Sequence, residues 1–174
     1  DKEKLKTISE KLGQNYVRQT KATVWLHGVS LGEVKILSTL AKRLDEAGHN
    51  VLLTSTTNTG RNELEKNFSN SNINFLPFPY DLNHVHKKII NYYKIEKIVL
   101  FESEFWPNLL SLSSDVKIIS LNTSISDQSF SRYKATKIFS SFIFSRIDLF
   151  LAQSKETINR LNLLGASNTK LLGN

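Results

Sequence analysis

The feature that most limits what this chain can fold into is the repeated exchange of two hydrophobic periods along its length. Short β-branched or leucine-rich runs at Ala22–Leu26, Val51–Leu53, Ile73–Leu76, Ile98–Phe101, Val116–Leu121 and Leu149–Ala152 are largely apolar, as strands buried on both faces are. Between them the apolar residues return at helical spacing, as in Val34, Leu37, Leu40, Ala41 and Leu44. That helix starts near Ser30 and stops at Gly48. Further helices are predicted through Leu64 to Phe68, over Val85, Ile89, Ile90 and Tyr93, near Pro107 to Leu112, and from Arg132 to Ile147. Strands separated by helices need crossover connections, and right-handed crossovers build a mainly parallel sheet flanked by helices. The expectation is an α/β, Rossmann-like domain of six or so strands over residues 21–174. Residues 1–20 lead in as a short amphipathic helix carrying Leu5, Ile8 and Leu12.

The chain begins at Asp1 rather than Met and stops at Gly173-Asn174 without a closing helix, so both ends read as cut, with an anchor removed upstream. No apolar run approaches the ~20 residues needed to span a bilayer. Lys and Arg number 23 against 16 Asp and Glu, a net charge of +7, which suits a polyanionic partner: nucleic acid, an anionic membrane or a phosphorylated substrate. Nucleic acid is the weakest of these, because the basic residues are scattered and no motif interleaves them with aromatics. The absence of cysteine excludes disulfides, thiol catalysis and cysteine-ligated zinc. His27, His49, His84 and His86 lack metal-ligand spacing, so no metal is expected.

In parallel sheets, ligands bind at the carboxyl ends of the strands, which directs attention to six loops: HGVSLGE (27–33), TSTTNTG (54–60), PFPYD (77–81), ESEFWPN (102–108), LNTSISDQS (121–129) and AQS (152–154). In the first, Ser30 and Glu33 have the spacing of a capping box. The functional alternative is that Glu33, at a helix start facing the crevice, takes a proton from a substrate hydroxyl. The hydroxyls of Thr56, Thr57 and Thr59, closing at Gly60, suit phosphate or sugar hydroxyls at a helix N-terminus; ordinary capping by Thr57, Asn58 or Thr59 is the alternative. Arg61 sits in the first turn, where a cation opposes the helix dipole, and an anionic partner gives it a reason. Glu102 and Glu104 follow an apolar strand two residues apart. They point alike if the strand continues, which would favour acid or base work by one of them. The alternative has Glu104 opening the Pro107 helix, with Trp106 in the core. The stripe Ile138, Phe139, Phe142, Ile143 and Ile147, flanked by Arg132, Lys134, Lys137 and Arg146, reads either as a membrane-facing helix or as a core face.

Taken together, HGVSLGE, TSTTNTG, PYD, ESEFWPN, LN-x-x-x-S, AQS and the terminal Gly-Asn occur in the order and approximate spacing of the bacterial 3-deoxy-D-manno-octulosonic acid (Kdo) transferases, and the chain resembles that family from Trp25 to Asn174. The resemblance implies the N-terminal, acceptor-binding half of a GT-B fold, with a separate C-terminal half binding the donor CMP-Kdo and no cofactor. It implies transfer of Kdo to a phosphorylated lipid A precursor, inverting and without a metal, on the cytoplasmic face of the inner membrane. In the family pattern the Gly-Glu glutamate, here Glu33, is the general base, and the second acidic site falls on Glu102 and Glu104. Substrate-binding positions are then Ser30, Gly32, Thr56, Thr57, Thr59, Gly60, Arg61, Asn122, Ser126, Gln153 and Ser154. One departure stands out: Ser124 and Gln128 occupy positions where the family commonly has arginines, which weakens phosphate contacts from that loop. Two rival readings are a non-catalytic lipid or membrane docking module and a GT-B transferase for a different sugar.

Overall fold

The computed structural model describes residues 2–14, 16, 18–112, 114 and 116–173, the side chains of residues 2 and 3 excepted. Asn174, half of the terminal Gly-Asn pair, lies outside the described residues. The strands are β1 (Thr23–Gly28), β2 (Asn50–Ser55), β3 (Asn74–Pro77), β4 (Ile95–Phe101), β5 (Lys117–Thr123), β6 (Leu149–Ala152) and β7 (Thr169–Leu171). The helices are α1 (Lys2–Lys11), α2 (Leu31–Glu46), α3 (Asn58–Phe68), α4 (Asn83–Tyr93), α5 (Pro107–Leu110), α6 (Asp127–Ala135), α7 (Lys137–Phe144) and α8 (Lys155–Leu163). The chain forms two compact units, Asp1–Ile98 and Val99–Asn174. Within the first unit β3, β2 and β1 are parallel neighbours in that order, and within the second β5, β6 and β7 are. Among the described residues, no helix is long and apolar enough to cross a membrane.

In the first unit β1 pairs with β2, Trp25 opposite Leu52, and β2 pairs with β3, Leu52 opposite Asn74. These strands are apolar in succession because helices cover them. Trp25, Leu26, Leu52, Leu37, Leu64 and Ile89 are fully buried, drawn from β1, β2, α2, α3 and α4. The predicted leading helix forms as α1, but Leu5, Ile8 and Leu12 stay exposed at 66%, 44% and 41%, so its apolar stripe does not enter the core.

His27 is fully buried in β1. Its ring stacks on Phe78 with centroids 3.8 Å apart, and its Nδ1 lies 3.0 Å from Thr54 Oγ1. Burial lowers its pKa from the ordinary 6.5 to about 3, against a raising contribution from its hydrogen bond to the Thr54 backbone. The folded state therefore holds this ring neutral, while the unfolded chain protonates it below pH ~6.5. Between pH ~6.5 and ~3 the unfolded state binds the extra proton, so stability is complete above this window and falls with pH by up to about 1.4 kcal/mol per unit. Denaturant titrations across this range are expected to show that slope, and His27→Gln to reduce it by one proton's worth.

In the second unit β5 pairs with β6, and β6 with β7. Phe144 and Phe150 are fully buried, with Phe105 packed edge-on against both. The single helix predicted from Arg132 to Ile147 is two helices, α6 and α7, broken at Thr136 (φ −106°, ψ 46°). The Thr136 hydroxyl donates to the Arg132 carbonyl at 3.1 Å and Ser140 Oγ to the Tyr133 carbonyl at 2.6 Å. Side-chain hydroxyls thus compete for the carbonyls that would continue the helix. The apolar stripe divides accordingly: Ile143, Phe144 and Ile147 are core, whereas Ile138, Phe139 and Phe142 are exposed at 91%, 50% and 38%. Periodicity does not single out α8 or β7, because β7 has three residues, half-buried or exposed, and α8 buries only Thr157 and Leu161.

Candidate functional site at the strand ends

The loops after β1 and β2 are built as one unit. Gly28 ends β1, and a Cβ there would stand 2.9 Å from Leu37 Cδ1 and 3.1 Å from Glu33 Cβ, so glycine lets α2 close onto the strand. Ser30 caps α2 and Glu33 returns the bond, completing the capping box. Val29 N–H donates to Glu33 Oε2 at 2.8 Å, Ser30 N–H to Oε1 at 3.3 Å, and Glu33 N–H to Ser30 Oγ at 3.3 Å. The carboxylate is half-buried rather than sealed. Its Oε1 contact lies at the long end of hydrogen bonding, so that oxygen keeps capacity for a further donor.

Across from it, the Val29 carbonyl accepts two hydroxyls from the next loop, Ser55 Oγ at 3.1 Å and Thr57 Oγ1 at 2.7 Å. Thr57 also caps α3 through Gly60 N–H at 3.2 Å, so of the three capping candidates Thr57 is the cap. Gly60 is required sterically: a Cβ would fall 2.2 Å from Ser55 Oγ. Thr56 Oγ1 is buried with no partner among the described residues, and Thr59 is exposed. Arg61 donates to Thr7 Oγ1 of α1. The third loop lies underneath, with Phe78 on His27 and Asp81 Oδ1 2.9 Å from His86 Nε2.

Gly32 differs from Gly28 and Gly60. It is exposed in the first turn of α2, and the nearest atom to an added Cβ is Ser30 Oγ at 3.9 Å. The fold does not need glycine there.

The second group of predicted residues sits in the other unit. Strand β4 does not continue past Phe101, because Glu102 adopts φ 60°. Glu102 and Glu104 therefore do not share one continuing strand, because the left-handed Glu102 itself turns the backbone. Asn122 also has φ 60° and coincides with a register shift between Leu121 and Thr123, a bulge that re-aims the strand end. Left-handed backbone in a non-glycine residue costs roughly 1–3 kcal/mol and concentrates at functional sites. Here the two strained residues are tied together, with Glu102 N–H donating to Leu121 O at 2.7 Å and Ser120 Oγ to Glu102 O at 3.0 Å. Gln153 reaches in from the end of β6, its Nε2 donating to Asn122 O at 3.1 Å. Ser126 and Ser154 cap α6 and α8. Trp106 precedes α5, half-buried rather than in the core. Burial raises the pKa of Tyr133, with Glu104 adding to the rise against the lowering effect of Arg132.

Sequence reading missed Arg160. From α8 it reaches the Ile125 carbonyl, Asp127 and Glu156, so a cation does stand at the loop that holds Ser124 and Gln128, though with carboxylates as partners. No local pattern signals it, since 35 positions separate Arg160 from Ile125. Among the described residues no cluster of three His, Asp or Glu forms a metal-ligand set.

A parallel sheet covered by helices, with polar, helix-capping loops gathered at its strand ends, defines a Rossmann-like α/β domain. Residues 6–174 match the family described as 3-deoxy-D-manno-octulosonic-acid transferase (kdotransferase), and the chain belongs to that family. It is similar to a bifunctional glycosyltransferase/methyltransferase of Fusobacterium nucleatum subsp. nucleatum, 33% identical over 176 residues covering 98% of this chain and 28% of that protein. Two 3-deoxy-D-manno-octulosonic acid transferases are also similar. That of Rickettsia typhi is 30% identical over 88% of this chain and 34% of its own length. That of Rickettsia bellii is 28% identical over 99% of this chain and 42% of its own length. The chain thus spans well under half the length of these relatives.

Proposed function

We propose that this chain is the acceptor-binding half of a GT-B glycosyltransferase that moves Kdo from CMP-Kdo to the phosphorylated disaccharide of a lipid A precursor, inverting the anomeric carbon without a metal. Glu33 takes the proton of the accepting hydroxyl as its oxygen attacks the donor carbon, which the C-terminal half presents. The hydroxyls of Thr57 and Thr59 and the cation of Arg61 orient the acceptor, and Glu102 and Glu104 form the second acidic site. Family membership supports this reading, and one observation carries it: a half-buried carboxylate stands at the start of α2, beside the hydroxyl-rich loop that the Val29 carbonyl holds in place. The test is Kdo transfer from CMP-Kdo by this chain recombined with its C-terminal half, with the chain alone expected to be inactive.

Gly32 supplies a separate check. Because space for a Cβ exists there, Gly32→Ala is expected to leave stability unchanged or raised by about 0.4–1 kcal/mol. If acceptor backbone approach is what requires glycine, the same variant raises KM for the acceptor while denaturant midpoints hold. An unchanged KM would remove Gly32 from the site.

Contact with an anionic membrane surface is supported by α7, where Ile138, Phe139 and Phe142 are exposed, and by Arg146 just beyond it, 4.7 Å over the Phe142 ring; the cytoplasmic face of the inner membrane is what family membership suggests. Exposed apolar residues beside cations suit an anionic lipid surface. That observation alone also serves the docking-module alternative, which reconstituted Kdo transfer would exclude.

A further inference from the structure

Among residues with a side chain, asparagine tolerates left-handed backbone best, and glutamate has no such preference. Asn122 at φ 60° fits that rule, and Glu102 at φ 60° does not. A glutamate stays there only if its surroundings over-determine it, and here β5 fixes both of its backbone polar groups. Its N–H donates to the Leu121 carbonyl at 2.7 Å, and its carbonyl accepts Ser120 Oγ at 3.0 Å. Ser120 and Thr123 are fully buried, and their hydroxyl oxygens lie 2.6 Å apart. Each hydroxyl has one proton. With the Ser120 proton committed to Glu102, the short contact is Thr123 donating to Ser120 Oγ; the other acceptor open to Thr123, the Ser120 carbonyl, is more distant at 3.3 Å. The bonds therefore run in one direction, from Thr123 to Ser120 to Glu102, and such a chain polarises its members and strengthens the last bond. Its origin is anchored, because the Thr123 carbonyl accepts the Gln153 N–H at 3.0 Å. Beside it, Ser103 Oγ donates to the Ser124 carbonyl.

We propose that Ser120 is a positioning residue: through the Glu102 carbonyl it holds Glu102 left-handed, and so fixes the direction in which this carboxylate leaves the strand end. Without that bond the residue relaxes towards the extended backbone that an L side chain prefers, and the carboxylate moves with it. The hydroxyl tie stands on the geometry alone. Its importance for turnover rests on the function proposed above, in which Glu102 belongs to the second acidic site.

Amide hydrogen exchange of the chain tests the tie. In Ser120→Ala the Glu102 amide is expected to exchange about tenfold faster, the factor for losing one buried hydrogen bond. The Phe150 amide, bonded to the Asn168 carbonyl at 2.9 Å in the same unit, is expected to change less than about twofold, since the opening is local. Equal acceleration of both amides means a general loss of stability and overturns the proposal. Kdo transfer by the recombined enzyme tests the consequence. Ser120→Ala is expected to lower kcat/KM for the acceptor about tenfold, yet to cost less than about twofold in a Glu102→Gln background, because a residue that acts through Glu102 then has no carboxylate left to position. Equal losses in the two backgrounds, the result of a merely structural role, also overturn it. Should Ser120→Ala not fold, Thr123→Val keeps the shape and removes the donor to Ser120; it is expected to speed Glu102 exchange about threefold with Phe150 unmoved, and no change at Glu102 overturns the tie. If the unsubstituted recombined enzyme transfers no Kdo, the function reading fails while exchange still decides the tie.

Discussion

Glu33→Gln is expected to lower Kdo transfer by the recombined enzyme ~10²–10⁴-fold, the range for loss of a general base, with little change in acceptor KM. Glutamine keeps the side-chain length and one carbonyl oxygen, so it can still accept the short bond now made by Val29 N–H to Oε2. What it loses is the second acceptor and the ability to take a proton. The weaker Ser30 N–H contact at 3.3 Å goes with it, a capping loss of about 1 kcal/mol. Rate and stability therefore part company: a large fall in kcat with a small shift in the denaturant midpoint. Near-normal turnover would reduce Glu33 to a helix cap, and a fall in rate matched by wholesale unfolding would mean that the cap, not the chemistry, had been measured.

Trp25→Ala carries the largest expected stability loss, about 3–5 kcal/mol by the usual cost of emptying a large aromatic site. Trp25 is fully buried in β1, with its ring centroid 5.9 Å from Phe78 and 6.1 Å from His86. Its Nε1–H donates to Thr54 Oγ1 at 2.8 Å, the same oxygen that His27 Nδ1 meets at 3.0 Å. Truncation leaves both a cavity and a loosened Thr54 directly before Ser55, whose hydroxyl holds the Val29 carbonyl. Against a typical total of 5–15 kcal/mol, this is a large share. Trp25→Phe retains most of the volume and is expected to lose only about 1–2 kcal/mol, chiefly the hydrogen bond. Chemical denaturation distinguishes the two, and a loss below about 1 kcal/mol for the alanine variant would mean that β1 is not central to the core.

Much of the architecture was legible because its causes are local. Apolar runs without alternation marked β1 to β6, and Ser30 with Glu33 marked the neighbourhood in which α2 starts, since a capping box needs only a four-residue spacing. The break at Thr136 escaped because the apolar stripe continues across it, while the hydroxyls that compete for the Arg132 and Tyr133 carbonyls leave no trace in hydrophobic periodicity. A shared direction for Glu102 and Glu104 needs an extended strand, which the left-handed Glu102 does not provide.

By itself the sequence determined the class of fold, the capped start of α2 and the family, because periodicity, capping and motifs are written in residues close together in the chain. Only the tertiary structure decided that the Val29 carbonyl gathers the Ser55 and Thr57 hydroxyls, that Arg160 enters the loop at Ile125, and that Arg61 of α3 reaches Thr7 of α1. Those contacts join residues tens of positions apart, and packing, not local propensity, selects which distant side chains meet.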